Sequence, residues 1–138
     1  MMRWAAPFGA LAWAAVAVAQ VPPPLPSSAA GGGAASVERG RLLLANRNES
    51  GCVLCHVVPG LPAGGELGPS LAGIAQRSTA DQLRRRIADA RAFNPYTIMP
   101  PYQSTEGLQG VAAAYQGRPV LSAQGLEDIV AYLTTVAR

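Results

Sequence analysis

Apolar side chains fall at helical intervals in several stretches of the chain and lose all periodicity between them. The clearest pattern is the last. From Ser122 onward, Leu126, Ile129, Val130, Leu133 and Val136 form a stripe at i, i+3, i+4 and i+7, which predicts an amphipathic helix with one face to bury. Near the beginning, Val37, Arg41, Leu44 and Ala45 stand at helical spacings behind Ser36, whose hydroxyl can cap a helix start, so the first folded helix is predicted from about Ser36. Gly40 lies inside that helix, where glycine costs about 1 kcal/mol relative to alanine. Close approach by another helix would account for it, and the unpartnered stripe of the last helix is predicted to cross at the face of Gly40 and Leu44.

Between these two, Thr79-Ala80-Asp81-Gln82 has the form of a capping box, and Leu83, Ile87 and Ala90 follow at helical spacing. That helix is expected to stop before Asn94-Pro95, because a residue preceding proline is pushed out of the α region. Residues 107–115 are predicted as a further short helix, and Gln116-Gly117-Arg118-Pro119 as a turn. Alanine and leucine at helical spacing, with few β-branched runs, give an all-α expectation for a single domain.

The stretches without periodicity carry other information. Residues 1–19 read as a secretory signal peptide: Arg3, an alanine-rich apolar run, and Ala17-Val18-Ala19 as a small-x-small cleavage site before Gln20. The run is broken by Pro7 and falls short of the roughly 20 residues that span a bilayer, which argues against stable membrane insertion. Residues 20–35, with consecutive prolines and then Gly31-Gly32-Gly33, form a flexible tail unable to bury enough apolar surface to order itself. The remaining 36–138 are the folded domain. The net charge of +3 is carried entirely by arginine, with no lysine anywhere, and is too small to argue for nucleic acid. Arg84-Arg85-Arg86 reads as a solvated helix face rather than a docking patch.

Candidate chemistry centres on Cys52-Val53-Leu54-Cys55-His56. Two thiols at this spacing can each add to one vinyl group of a haem, and the adjacent histidine is then delivered to iron. A structural zinc site needs four ligands, whereas this chain has two cysteines and one histidine. A thioredoxin-like site would sit in a strand and helix alternation that the periodicity does not supply. One covalently attached haem c is therefore the expected cofactor, and a domain this small is expected to fold poorly without it.

If the iron has a second strong protein ligand, Met99 is the sulfur left to provide it. Met1 and Met2 leave with the signal, His56 is used, and lysine is absent. Met99-Pro100-Pro101 is a stiff extended segment that can present a side chain without a helix. The opposing reading, a methionine that merely packs in the core, leaves an open iron that could bind a gas or peroxide. Pro69, in Gly68-Pro69-Ser70-Leu71, is a candidate for the backbone carbonyl that accepts from the second ring nitrogen of His56; a simple turn proline is the alternative. No side chain suggests a catalytic nucleophile or base of the chain's own.

Together the N-terminal helix with glycine, Cys-x-x-Cys-His, Gly-Pro-x-Leu, the Met-Pro loop and the terminal Leu-Glu-Asp-Ile-Val-Ala-Tyr-Leu helix resemble the class I cytochrome c domain over about residues 36–138. Asn94-Pro95-Tyr96-Thr97-Ile98-Met99-Pro100-Pro101-Tyr102 narrows the resemblance to the SoxX family, the monohaem subunit of the SoxAX cytochrome of bacterial thiosulfate oxidation. The resemblance implies thioether attachment at Cys52 and Cys55, His56 as proximal ligand and Met99 as distal ligand. It also implies a periplasmic electron-accepting subunit paired with a SoxA-like haem subunit, which joins thiosulfate to a cysteine of a SoxYZ-like carrier. The electrons would pass on to a downstream acceptor cytochrome. A free periplasmic carrier serving another redox enzyme would share the same site and differ only in partner.

Overall fold

The computed structural model describes residues 33–62 and 64–137; the expected signal peptide, its cleavage site and most of the tail lie outside them. Among the described residues the regular structure is entirely helical. Helices α1 (Ala34–Ala45) and α5 (Ala123–Thr135) cross each other, α4 (Ala80–Ala88) packs on α5, and two single turns, α2 (Cys52–Cys55) and α3 (Ile74–Arg77), lie in the connections.

The crossing is where Gly40 expects it. A Cβ at Gly40 would stand 2.0 Å from the backbone oxygen of Asp128 and 3.1 Å from the nitrogen of Ile129, so the two backbones touch with no room for a side chain. Leu44 of α1 is buried beside it, as are Leu126, Ile129, Val130 and Leu133 of the α5 stripe. Ser122 caps α5, its hydroxyl accepting from the Gly125 N–H at 3.0 Å. Val136 departs from the stripe and is 40% exposed. The helix ends at Thr135, and the altered register turns Ala137 inward instead.

Helix α1 begins two residues before the expected point, with Gly33 at the cap position, and Ser36 does not cap it. The Ser36 hydroxyl donates instead to the carboxylate of Asp128 across the helix crossing. A buried charged acceptor is a stronger partner than a neutral helix N–H. Arg39 completes this knot with Nε 2.8 Å and Nη2 2.9 Å from the two Asp128 oxygens, and Gln124 Nε2 donates to Oδ1 at 3.0 Å. Burial pushes the Asp128 carboxyl up, but the bonds from Arg39, Ser36 and Gln124 outweigh it and hold the group below its ordinary value of 3.8.

The capping box of α4 is formed by both of its bonds, Gln82 N–H to Thr79 Oγ1 at 3.2 Å and Thr79 N–H to Gln82 Oε1 at 2.8 Å. Leu83 and Ile87 point into the core. The helix stops at Ala88, earlier than Asn94-Pro95 requires. Asp89 takes an extended backbone, and its carboxylate caps a 3-10 turn, Ala90–Ala92, by accepting from the Arg91 N–H at 3.0 Å. Residues 107–115 do not form the expected helix; only a 3-10 turn, Ala113–Tyr115, is present. Gly107 and Gly110, at φ of 66° and 67°, adopt the left-handed conformation and cannot continue a right-handed helix.

The arginine triplet divides three ways. Arg84 Nε reaches Glu127 on α5 at 2.6 Å, Arg85 pairs with Asp81 on the solvent face of its own helix at 2.6 Å, and Arg86 lies over the Phe93 ring at 5.1 Å.

Candidate functional site

The one-turn helix α2 is launched by Gly51, whose left-handed φ of 63° turns the chain sharply after α1. Ser50, just before it, fastens this turn: its hydroxyl donates to the Leu43 carbonyl at 2.6 Å and accepts from the Cys52 N–H at 3.4 Å. Cys52 and Cys55, three positions apart on a helical turn, line the same cleft with no disulfide between them. Burial pushes the Cys52 thiol up, against the lowering effect of its contacts with Ser50 and Tyr102.

His56 leaves α2 in an extended conformation, and its Nδ1 lies 2.7 Å from the carbonyl oxygen of Pro69. A carbonyl can only accept, so Nδ1 carries the proton and Nε2 keeps a lone pair for a metal. The ring is pressed against Gly68, where a Cβ would come within 2.4 Å of the ring carbon Cε1. Gly64 and Gly65 make the same close approach to the motif: a Cβ on either would stand 2.4 Å from the His56 carbonyl oxygen or 2.1 Å from that of Leu54. The glycine-rich stretch after the motif, irregular as its sequence predicts, is thus wrapped directly on it. Its bonds to the motif run from Gly65 N–H to Val53 O at 2.9 Å and from Gly68 N–H to Cys55 O at 2.7 Å.

The cleft has a volume of about 350 Å³. Leu44, Leu83, Ile87, Ile129 and Leu133 form its inner wall, so the core of the helix crossing is also the floor of the site. Met99 enters from the 94–102 loop and lines the same cleft, partly buried against the core. The sequence-predicted residues Cys52, Cys55, His56, Pro69 and Met99 are therefore brought to one place. Among the described residues that line the cleft, Arg86 is the one that carries a permanent charge.

Two residues of the site, Tyr102 and Ser50, were not singled out by the sequence. The Tyr102 hydroxyl donates to the Ser50 carbonyl at 2.7 Å and lies 4.0 Å from the Cys52 sulfur. Burial, and then the neighbouring Cys52 thiol, push its ionisation well above the usual tyrosine range. Its place directly after Met-Pro-Pro was the available signal, but nothing local to the sequence tells which carbonyl a tyrosine will find.

This cavity fits a haem on its own features. It is walled by aliphatic side chains, two free thiols stand at its edge, an imidazole is oriented with one nitrogen left for iron, and a guanidinium on the rim offers counter-charge to carboxylates. Among the described residues no group of three or more His, Cys, Asp or Glu side chains could hold a metal ion by itself.

Comparison with known proteins agrees with this chemistry. No curated protein sequence matches the chain. A chain of the crystal structure of SoxXA from P. pantotrophus is similar at 30% identity and a TM-score of 0.64, covering 73% of this chain and 81% of that one. The c-type cytochrome SorU from Sinorhizobium meliloti shares the fold at 23% identity and a TM-score of 0.51, over 75% of this chain and 92% of that one. The family described as cytochrome c matches residues 37–137, and with it goes a covalently attached haem c. By that match and by the all-helical fold around this cleft, the chain belongs to the cytochrome c family.

Proposed function

We propose that this cytochrome is exported to the periplasm by residues 1–19 and serves as the electron-accepting subunit beside a SoxA-like haem subunit. The pair would oxidatively couple thiosulfate to a cysteine of a SoxYZ-like carrier. The observation that carries the reading is the convergence of His56, fixed by Pro69, and Met99 on one apolar cleft, in a chain 30% identical to part of SoxXA. No helix among the described residues is long and apolar enough to cross a membrane.

When bound, haem supplies a one-electron redox centre. Cys52 and Cys55 would hold it through thioether bonds, and the Pro69 carbonyl polarises the Nδ1–H of His56, which would make Nε2 a stronger donor toward iron. Met99 would contribute a soft, neutral sulfur that favours the reduced state, so the pair of ligands would suit a site that accepts electrons. The aliphatic wall would pack on the haem. With His56 and Met99 both serving as its ligands, no position would be left for substrate, and the sulfur chemistry would fall to the partner. Joining a thiol to thiosulfate forms one S–S bond and releases one proton and two electrons. One haem here would accept those electrons one at a time, for passage to an acceptor cytochrome.

Purification from the native host tests the reading: the chain should be periplasmic, begin at or near Gln20, carry one haem c and copurify with a second haem subunit. Met99→Ala should abolish the long-wavelength ferric band of iron-bound thioether sulfur, lower the potential and admit carbon monoxide. Ready binding of carbon monoxide by the unaltered protein would replace the electron-transfer reading with an open-site one.

A further inference from the structure

The 94–102 loop that carries Met99 is poorly attached along its length. Tyr96, outside the cleft lining, is 91% exposed. The backbone N–H groups of Tyr96, Thr97 and Met99 bond only to Asn94 or Thr97 of the loop itself, and Pro95, Pro100 and Pro101 have no N–H to give. The loop is held at its ends. Upstream, Asn94 N–H reaches the Ala90 carbonyl at 3.1 Å.

Downstream, Tyr102 is 5% exposed and fixed three times. Its N–H bonds the Ile87 carbonyl at 3.3 Å, its carbonyl accepts from Leu121 at 3.0 Å, and its hydroxyl donates to Ser50 at 2.7 Å. That last bond ties the loop to the segment that launches Cys52, across 52 positions of sequence. Only Pro100 and Pro101 separate Tyr102 from Met99, and their locked φ angles transmit its position stiffly.

We propose that Tyr102 is the positioning residue that keeps the Met99 sulfur at the iron, by anchoring the Met-Pro-Pro strap to the Ser50 carbonyl of the haem-attachment segment. The inference rests on Met99 being the distal ligand. Its ring packs the loop end against the core, and its hydroxyl sets the depth at which the strap lies. Without the hydroxyl, the core survives but the strap is free to lift, and an external ligand competes better for the sulfur's position.

The test is imidazole binding to the ferric holoprotein, together with the long-wavelength thioether band. Tyr102→Phe keeps the ring and should weaken the band and raise imidazole affinity about tenfold, the factor that one hydrogen bond is worth. Tyr132→Phe removes a comparable hydroxyl bond, to the Pro59 carbonyl, between two residues that do not line the cleft. It should leave imidazole affinity unchanged, which separates positioning from general loosening. Should Tyr102→Phe fail to accumulate, Pro101→Gly keeps the anchor but uncouples it, and should raise imidazole affinity likewise. A band present in the unaltered protein with both strap variants behaving like it would overturn this inference alone. So would equal effects of Tyr102→Phe and Tyr132→Phe. If the unaltered protein lacks the band, Met99 ligation fails and the inference falls with it.

Discussion

The helix crossing and the methionine loop hold their functional atoms in opposite ways. At the crossing of α1 and α5 two backbones touch at Gly40, and a buried carboxylate gathers three side-chain donors from both helices. In the 94–102 loop most side chains face solvent, the bonds ahead of Tyr102 are local, and stiffness comes from proline. The crossing fixes the floor of the cleft by burying it, whereas the loop fixes one sulfur by being unable to bend. A cytochrome can therefore lose stability without losing its ligand, or lose its ligand without losing its fold.

The largest effect should come from Gly40→Ala. Alanine gains about 1 kcal/mol over glycine inside a helix, but its Cβ meets a backbone oxygen that cannot move aside. A net loss of about 2–3 kcal/mol is expected, a fall in Tm of roughly 10–20 °C, with the thioether band intact up to the melt. A melting curve like that of the unaltered protein would show that the helices can separate freely.

Next is Asp128→Ala, which strands the buried Ser36 hydroxyl and should cost about 2 kcal/mol. The pH dependence sharpens it. The folded carboxyl titrates below 3.8. The unfolded state therefore binds more protons in the window beneath 3.8, and stability rises with pH there. The contribution of Asp128 is complete above that window and disappears as pH falls through the folded value. The Tm difference between unaltered protein and Asp128→Asn should be flat above about pH 5 and shrink in acid. A gap that widens in acid would contradict the knot.

Loop changes should do the reverse. Pro100→Ala frees the backbone and should lower stability by less than about 1 kcal/mol, while measurably weakening the thioether band. Tyr96→Ser, at a position exposed to solvent and outside the cleft lining, should move Tm by no more than the roughly 0.5 kcal/mol typical of surface sites. A large loss from Tyr96→Ser would mean that the loop is held by packing rather than by its prolines.

Much of this arrangement was legible in the chain because its signals are local. A capping box needs only Thr79 and Gln82; a stripe needs only the spacing of Leu126, Ile129, Val130 and Leu133; a helix that tolerates Gly40 announces a close neighbour. Where reading failed, a distant group had intervened. Ser36 looked like a cap and became a donor to Asp128, 92 positions away. The helix expected to stop before Asn94-Pro95 did so, but already at Ala88, because Asp89 turned its carboxylate on Arg91. The arginine triplet, alike in sequence, was divided by what stood opposite each side chain.

What the sequence by itself determined is the chemistry: two thiols at the spacing of two vinyl groups, one histidine, one methionine after the first two residues and no lysine leave few assignments, since ligand identity is a matter of inventory. What only the tertiary structure decided is where those groups stand and what holds them. Whether Pro69 is the carbonyl that accepts from His56 or a simple turn, which carbonyl receives the Tyr102 hydroxyl, and how close Gly64, Gly65 and Gly68 come to the motif all depend on distances between parts of the chain far apart in order. Every carbonyl is alike along a sequence, and packing alone selects among them.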